Sequence, residues 1–291
     1  MTDGAALLGA AAVGDGAARP VTGGRGAVVE VQDVVKRFAP LHGGMEVHAL
    51  GPVSFELRQG EFFALVGPSG CGKSTLLDIV AGLNRATEGR VSFEGKPVSG
   101  LPPDGVGVVL QEDASFPWLS VWDNVAFGLR RQGVGRKELT ERVDAVLAFL
   151  GLRDFARAYP AQLSGGMRQR VCIGRTLILR PRLILLDEPF GALDQQTRLL
   201  MGDELLRLWR DTGATIMLIT HSLDEAALLA DRVGVMSARP GRLIELLETG
   251  WPRERTSEIV ADPNFGRVTA QLWSRLRAES MRAREQSEAV R

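Results

Sequence analysis

The sequence predicts an α/β fold that combines a core of buried parallel strands, an antiparallel β subdomain and a helical insertion. Three observations indicate this fold. The segments VVEVQDVV and HALGPVSFEL, which begin after Ala27, alternate apolar and polar residues as half-buried antiparallel strands do. FFALVGP, RLILLDEP and ATIMLITH are continuous apolar runs, as expected of strands buried on both faces of a parallel sheet. Residues 115–165 carry apolar side chains at helical spacing instead.

These elements divide the chain into three segments. Residues 1–26 are mostly Gly and Ala without periodicity, and such a segment buries too little apolar surface to offset the entropy of ordering it. We therefore predict a disordered leader. An α/β domain is predicted for residues 27–250, with the helical insertion at about 115–165, and a C-terminal helical extension for residues 251–291. In the extension, four apolar residues at helical spacing predict an amphipathic helix: Phe265, Val268, Leu272 and Leu276.

The composition restricts the possible partners. The 291 residues include 35 basic and 35 acidic side chains, and no predicted segment carries a basic stripe of the kind that binds a duplex. We therefore expect no nucleic-acid partner.

The cysteines and the apolar runs indicate the compartment. Cys71 and Cys172 lie in chemically different segments and form no disulfide pattern, which favours a reducing cytosol. No apolar run approaches the ~18 residues of a membrane span, so the chain is predicted to be soluble or peripheral.

The strongest motif is GPSGCGKST, which lies between a buried strand and a helix. Its glycines allow backbone N–H groups to turn inward around phosphate oxygens, and the following helix offers its positive N-terminus. Lys73 is placed to reach the β and γ phosphates of a nucleotide, and the Ser74 hydroxyl to bind its Mg²⁺. A glycine-rich turn that only resembles the motif is the alternative, which the flanking strand and helix disfavour. The predicted nucleotide-binding residues are Gly67, Pro68, Ser69, Gly70, Cys71, Gly72, Lys73, Ser74 and Thr75.

Polar residues follow three of the predicted strands. Asp187 is predicted to face the Mg²⁺ shell, and Glu188 lies farther out, where it can accept a proton from the water that attacks the γ phosphate. Gln111 follows GVGVVL, and its amide is predicted to reach both the metal and this water. His221 ends ATIMLIT at the same ligand-binding edge of the sheet and is predicted to be catalytic. The alternatives are that the carboxylates cap a turn and that His221 is structural.

A second glycine motif, LSGGMRQR, occupies residues 163–170. Ser164, Gly165 and Gly166 open the predicted helix MRQRVCIGRTLIL, and a glycine-flanked helix N-terminus suits an anion such as a γ phosphate. From this octapeptide alone, Ser164 could also cap an ordinary core helix. Either the fold brings both motifs around one ligand, or the second motif serves a ligand that another chain holds.

The motifs occur along residues 27–250 in this order: GPSGCGKST, Gln111, LSGGMRQR, LILLDEP, GALD and His221. The order resembles the nucleotide-binding subunit of an ABC transporter. The resemblance implies ATP and Mg²⁺ as cofactors and a P-loop NTPase (RecA-like) core with an antiparallel β subdomain and a helical subdomain insertion. It also implies a homodimer in which Ser164, Gly165 and Gly166 of one subunit close on ATP held by the other. Asp194 belongs to the GALD loop, which couples the two sites and is expected to act in trans.

Two further segments, QEDASFPWLSVWDNVAFGLRR and LLADRVGVMSARPGRL, resemble the ATP-binding subunits of nitrate, sulfonate and taurine importers. This resemblance implies an ATP-hydrolysing motor at the cytoplasmic face of the membrane, with permease subunits and an extracytoplasmic substrate-binding protein as partners. Phe38 stands where an adenine-stacking Tyr is commoner, and Arg175-Thr176 stands where Arg-Ala is usual. Phe38 keeps a stacking face, and a core position is its alternative.

The resemblance also implies a groove near the segment that follows Gln111, into which a short helix of the permease would dock. In this chain the segment is rich in aromatic residues, and aromatics are more often core than surface. We expect some of them to line the groove and others to be buried: Phe116, Trp118, Trp122 and Phe127.

Two other functions also use a motif such as GPSGCGKST, residues 67–75, which we call the phosphate loop. A non-transport ABC ATPase that acts on DNA or ribosomes would carry two cassettes, long coiled-coil inserts or basic surfaces, and the sequence shows none of these. A P-loop kinase of a small metabolite would lack LSGGMRQR and GALD. The sequence therefore favours the transport ATPase.

Overall fold

The computed structural model describes residues 26–39, 46–111, 114–191 and 193–289. The strands in these ranges are β1 (Ala27–Phe38), β2 (Val47–Arg58), β3 (Phe62–Val66), β4 (Glu88–Phe93), β5 (Lys96–Pro97), β6 (Val106–Val109), β7 (Leu183–Asp187), β8 (Thr215–Ile219), β9 (Arg232–Met236) and β10 (Leu243–Glu248). The helices are α1 (Lys73–Val80), α2 (Val121–Arg131), α3 (Arg136–Phe149), α4 (Gly165–Leu177), α5 (Gln195–Thr212), α6 (Leu223–Leu229) and α7 (Pro263–Ala289).

An antiparallel sheet opens the fold, with strand order β2–β1–β4–β5. β1 pairs with both of its neighbours, so that Val31 lies opposite Phe55 on one side and Val91 on the other. These three side chains are buried, as the alternating sequence pattern predicted. β1 ends at Phe38, so this sheet places that residue at its edge.

A second sheet has the order β10–β9–β3–β8–β7–β6 and is parallel except for β10. Every residue of β3, β7, β8 and β9 is buried, in keeping with the continuous apolar runs. The α/β fold class is thereby confirmed. Because parallel strands end at the same edge, the polar residues after β3, β6, β7 and β8 lie on one side of the sheet.

Residues 115–165, the predicted insertion, contain α2, α3 and two 3₁₀ turns. The Ser120 hydroxyl begins α2 by accepting a hydrogen bond from the Asp123 N–H at 3.1 Å. α2 packs against α3 and α4. Gly174 permits close packing of α4, since a Cβ on it would lie 2.6 Å from Leu150 Cδ1. The limits of this subdomain remain a prediction.

The C-terminal helix α7 contacts α6 and β9. Residues 1–25 of the predicted leader and residues 290–291 of the extension lie outside the described residues. In the part of the chain that the structure describes, none of the helices combines the length and apolar character needed to cross a bilayer. The apolar face that helical spacing predicted on α7 is buried: Phe265, Val268, Leu272 and Leu276.

Candidate active site

The phosphate loop joins the buried strand β3 to α1, which begins at Lys73. Gly72 has a φ of 99°, and a Cβ at this position would lie 2.7 Å from Leu50 Cδ2 and 2.8 Å from the carbonyl oxygen of Ala49. Only glycine meets both requirements. Ser69 and Gly70 form the exposed tip of the loop. The loop therefore presents backbone, rather than large side chains, at the edge of the sheet.

Lys73 is largely buried beneath this loop. Its Nζ donates hydrogen bonds to the carbonyl oxygens of Gly67 at 2.8 Å and Pro68 at 3.0 Å. The ammonium is thus held at the phosphate loop by main-chain oxygens and faces away from apolar core. A charged donor in this position can exchange such carbonyl partners for phosphate oxygens.

Cys71 contributes its main chain to the loop rather than a reactive thiol. Its side chain is buried, and burial raises the pKa of the thiol although the neighbouring Lys73 ammonium opposes this shift. The thiol is therefore neutral at pH 7 and packs inward.

Asp187 ends β7 as a buried carboxylate. Burial raises its pKa, Ser74 donates a hydrogen bond that opposes the shift, and the negative charges of Glu188 and Asp78 raise the pKa further. Within the described residues, Oδ1 of Asp187 is buried without a hydrogen-bond partner. A hydroxyl beside a carboxylate with a free buried oxygen is a donor set that suits a hard divalent cation such as Mg²⁺.

Three predicted residues from three strand ends meet at one carboxylate oxygen. Oε2 of Glu188 accepts a hydrogen bond from Gln111 Nε2 at 3.1 Å and lies 3.2 Å from His221 Nδ1. The backbone N–H of Glu188 donates a hydrogen bond to the Ile219 carbonyl at 2.9 Å. Glu188 itself has a left-handed backbone, with a φ of 46°. The side chain of Glu188 is 19% exposed, so it is sheltered but open to a water molecule.

A second buried carboxylate, which sequence reasoning missed, supports the segment that carries His221. Oε2 of Glu225 accepts a hydrogen bond from Thr220 Oγ1 at 2.6 Å, and Oε1 pairs with Arg198 at 3.2 Å. Burial raises the pKa of Glu225. The sequence signal was Ser222-Leu-Asp-Glu225, which has the spacing of a helix-capping box, and the Ser222 hydroxyl does accept from the Glu225 N–H.

The second glycine motif opens α4. The Ser164 hydroxyl accepts a hydrogen bond from the Met167 N–H at 3.3 Å, while Ser164 and Gly165 are exposed and Gly166 is partly exposed. No hydrogen bond or ion pair among the described residues joins Ser164 to the phosphate loop. The helix N-terminus therefore faces solvent and is accessible to a second molecule.

Asp194 caps α5. It accepts hydrogen bonds from the Thr197 N–H at 3.0 Å and the Thr197 hydroxyl at 2.6 Å, and these bonds lower the pKa of its carboxyl. The rest of the GALD loop is described only in part, because Ala192 lies outside the described residues. Asp194 is exposed and ionised at pH 7.

The two departures from the expected sequence pattern have local explanations. Phe38 is 39% exposed, so it is not a core residue, and Lys36 Nζ lies 4.9 Å from the centre of its ring. Thr176 donates a hydrogen bond to the Val108 carbonyl at 3.1 Å, which satisfies a hydroxyl where alanine is usual. Arg175 donates to the Ala114 carbonyl and lies over the ring of Phe116, thereby fixing the segment after Gln111.

The aromatic residues of that segment divide into two groups. Phe116 contacts both Trp118 and Phe127, and we call these three residues the aromatic patch. Trp118 is 71% exposed and Phe127 41% exposed. Trp122 instead donates a hydrogen bond to Asp144 at 3.1 Å and is partly buried. The patch is therefore the exposed apolar feature here, and Trp122 is not part of it.

Asn124 organises this surface and was not anticipated from the sequence. It is fully buried, accepts a hydrogen bond from the Phe116 N–H, and donates to the carbonyls of Phe116, Leu119 and Ser120. A polar residue amid the apolar spacing of α2 was the available signal.

Comparison with known proteins identifies a family and two relatives that this chain resembles. Residues 50–191 match the model of the family described as ABC transporter. The chain is 47% identical over 228 residues to the taurine import ATP-binding protein TauB of Pseudomonas aeruginosa, covering 77% of this chain and 86% of the relative. It is 40% identical over 268 residues to the nitrate import ATP-binding protein NrtD of Synechocystis, covering 90% of this chain and 98% of the relative.

A solved structure shows the same architecture. It is the dimeric post-hydrolysis state of the ATP-binding cassette MJ0796 bound to ADP and Pi, which superposes with a TM-score of 0.70 at 30% sequence identity. The match covers 77% of this chain and 100% of that cassette.

Proposed function

This chain belongs to the ATP-hydrolysing subunits of the ABC transporter family, and from that premise we propose that it is the motor of an importer for a small solute. The solute class we propose is nitrate, taurine or another sulfonate, because TauB and NrtD are named for the import of such solutes. The main support for ATP hydrolysis is that Gln111 and His221 both contact Oε2 of Glu188.

We assign nucleotide binding to the phosphate loop and metal binding to three residues. Lys73 would contact the β and γ phosphates, and Phe38 offers an exposed ring for stacking on adenine. Mg²⁺ would be held by Ser74, Asp187 and Gln111, since the free buried oxygen of Asp187 fits a cation. When bound, the metal supplies positive charge that neutralises the phosphate oxygens.

Hydrolysis then requires a base beside the γ phosphate. Water attacks the γ phosphorus, the bond to the bridging oxygen breaks, ADP leaves, and the Glu188 carboxylate accepts the water proton. Gln111 and His221 orient that carboxylate through Oε2. Its positive-φ backbone fixes the direction in which the side chain leaves β7.

We further propose that the second glycine motif completes the nucleotide site of a partner copy. Ser164 and Gly165 are exposed at the N-terminus of a 13-residue helix, which suits a phosphate from another chain. Gly166 and Asp194 would join them in trans. The dimeric arrangement of the MJ0796 cassette supports a homodimer of this chain.

Mixed dimers test the shared site. One subunit carries Lys73→Ala, the other Ser164→Arg, and ATPase is measured in a reconstituted transporter. If the two subunits share their sites, one nucleotide site contains both substitutions. The other site then combines an unaltered phosphate loop with an unaltered LSGGMRQR motif. We expect partial activity, above both mutant homodimers but below half of wild type, because closure requires both nucleotides. Verified heterodimers that bind two ATP without any rescue would refute the shared site.

We place the subunit at the cytoplasmic face of the membrane, where it would bind permease subunits that receive solute from an extracytoplasmic binding protein. The aromatic patch is the surface we assign to the permease. Exposed aromatic clusters mark protein–protein contacts, and truncating a central Trp in such a contact costs about 2 kcal/mol or more.

Trp118→Ala tests this surface. We expect permease association, or transport coupling, to weaken by roughly tenfold or more, while ATP binding by the isolated subunit stays unchanged. The matched control is Trp273→Ala, because Trp273 is also exposed but lies on α7. Wild-type assembly and coupling in Trp118→Ala would remove Trp118 from the interface.

The solute is tested by reconstituting the subunit with its permease and binding protein and adding taurine, an alkanesulfonate or nitrate singly. We expect one of these solutes to stimulate ATPase and accumulate in vesicles. Stimulation by nucleic acid in place of every solute would support a non-transport ABC ATPase instead. The balance of 35 basic and 35 acidic residues already disfavours that alternative.

A further inference from the structure

Glu279 is a buried carboxylate on α7, whereas the charged side chains around it on the helix are exposed. Its Oε2 accepts a hydrogen bond from the Ala238 N–H at 2.8 Å, and its Oε1 accepts one from Arg282 Nη1 at 2.7 Å. Burying a carboxylate is unfavourable unless its oxygens are paired, so both bonds are needed for Glu279 to occupy this position. The carboxylate thereby attaches α7 to the segment that follows β9.

That segment is the β9–β10 loop, residues 237–242. A second side chain of α7 also holds it, since Gln286 Nε2 donates a hydrogen bond to the Arg239 carbonyl at 3.0 Å. Two turns of one helix thus bind two neighbouring residues of the loop. Glu279 provides the buried contact, and Gln286 the exposed one.

The β9–β10 loop lies directly against the phosphate loop. A Cβ on Gly241 would be only 1.9 Å from the carbonyl oxygen of Cys71, so the two main chains are in close contact. Gly241 also exchanges hydrogen bonds with β2: its N–H donates to the Ala49 carbonyl, and its carbonyl accepts from the Gly51 N–H, both at 3.0 Å. The loop is therefore fixed on one side by β2 and on another by α7.

The exposed tip of the phosphate loop is near the same loop. A Cβ on Gly70 would lie 3.5 Å from Arg239 Nη2. An open cavity of about 430 Å³ separates this tip from α7, and its walls include His48, Ser69, Gly70, Arg239, Pro240 and Gln286. The helix, the β9–β10 loop and the nucleotide site are consequently neighbours in space.

We propose that Glu279 is a positioning residue for nucleotide binding, which acts by holding the β9–β10 loop against the phosphate loop. Without its acceptor, the buried Ala238 amide must move to find another partner. Because the main chains of Gly241 and Cys71 are in close contact, a movement of the β9–β10 loop would displace the phosphate loop. Among the described residues, no hydrogen bond or ion pair joins Glu279 to Glu188, Gln111 or His221, so the effect falls on ATP affinity and not on proton transfer. The inference rests on the assignment of ATP to the phosphate loop.

The test measures ATP affinity by calorimetry, and KM and kcat for ATPase, with the full chain. Glu279→Ala is expected to raise Kd and KM for ATP by roughly 3–10-fold, the effect of one lost hydrogen bond, with kcat within about twofold. Glu279→Gln retains a carbonyl acceptor for the Ala238 N–H, so its Kd should return to within about twofold of wild type. This rescue separates the hydrogen bond from the charge.

Arg275→Ala is the matched control. It removes an ion pair between α7 and Glu245 of β10 at 2.7 Å without touching the β9–β10 loop. We expect its ATP affinity to equal wild type. If Glu279 merely stabilised the docked helix, Glu279→Ala would lower Tm and leave Kd at a temperature well below Tm unchanged.

Unchanged Kd in folded Glu279→Ala would overturn the proposal, and so would equal losses in Glu279→Ala and Glu279→Gln. If the Ala variant does not fold, Glu279→Asp carries the same test, because its carboxylate is one methylene too short to reach Ala238. Failure of the wild-type chain to bind ATP would count against the phosphate-loop assignment itself, and this measurement precedes any variant.

Discussion

Replacing Glu188 with Gln should slow ATP hydrolysis by about 10²–10⁴-fold while ATP binding persists. The amide keeps the size of the side chain and an oxygen that can accept from Gln111, but it cannot take the proton of the attacking water. With hydrolysis blocked, the ATP-bound dimer should accumulate. Single-turnover hydrolysis and size-exclusion chromatography with ATP measure the two effects.

The control for this variant is Glu204→Gln, because Glu204 is a partly buried carboxylate on α5 whose pKa burial also raises. Its turnover should stay near wild type. A Glu188→Gln protein that remains monomeric with ATP and turns over normally would show that the base lies elsewhere.

Removing the Lys73 ammonium should weaken MgATP binding by about 100-fold or more. Each charge-assisted hydrogen bond contributes about 1.5–3 kcal/mol, and the side chain is placed to contact two phosphates. In the part of the chain that the structure describes, Nζ donates to atoms of the phosphate loop itself, namely the carbonyls of Gly67 and Pro68 and the Cys71 sulfur. Lys73→Ala should therefore fold with a Tm close to wild type. Calorimetric titration with MgATP and thermal unfolding test both statements.

An exposed lysine provides the comparison for that titration. Lys137→Ala on α3 removes the same charge from the surface and should bind ATP as wild type does. Undiminished ATPase in folded Lys73→Ala would exclude the proposed phosphate contact.

The sequence predicted the fold class and the strand ends that carry Gln111, Glu188 and His221, because both follow from local rules. Continuous apolar runs identify strands buried on both faces, and strands that run parallel end at one edge. Gln111 and His221 each follow such a strand, so their position at this edge was predictable, whereas their contacts with Oε2 of Glu188 were found only in the structure. The roles of the individual residues in binding and hydrolysis remain predictions.

Contacts between distant side chains could not be predicted in this way. Helical spacing identified the buried face of α7, but nothing in it indicates that Glu279 reaches the Ala238 amide. Similarly, spacing does not separate the exposed Trp118 from Trp122, whose indole is paired with Asp144. Such contacts depend on how the folded helices and strands pack against one another, and a pattern of apolar residues does not determine this packing.

The left-handed backbone of Glu188 opposes the stability of the fold to the catalytic role that we propose for its side chain. A residue with a Cβ pays roughly 1–2 kcal/mol in this conformation, whereas glycine adopts it freely. Selection for thermal stability alone would therefore favour glycine here and discard the carboxylate. If Glu188 is the base that we propose, directed-evolution screens on this chain need to score turnover together with heat resistance, because a Glu188→Gly descendant would gain stability and lose hydrolysis.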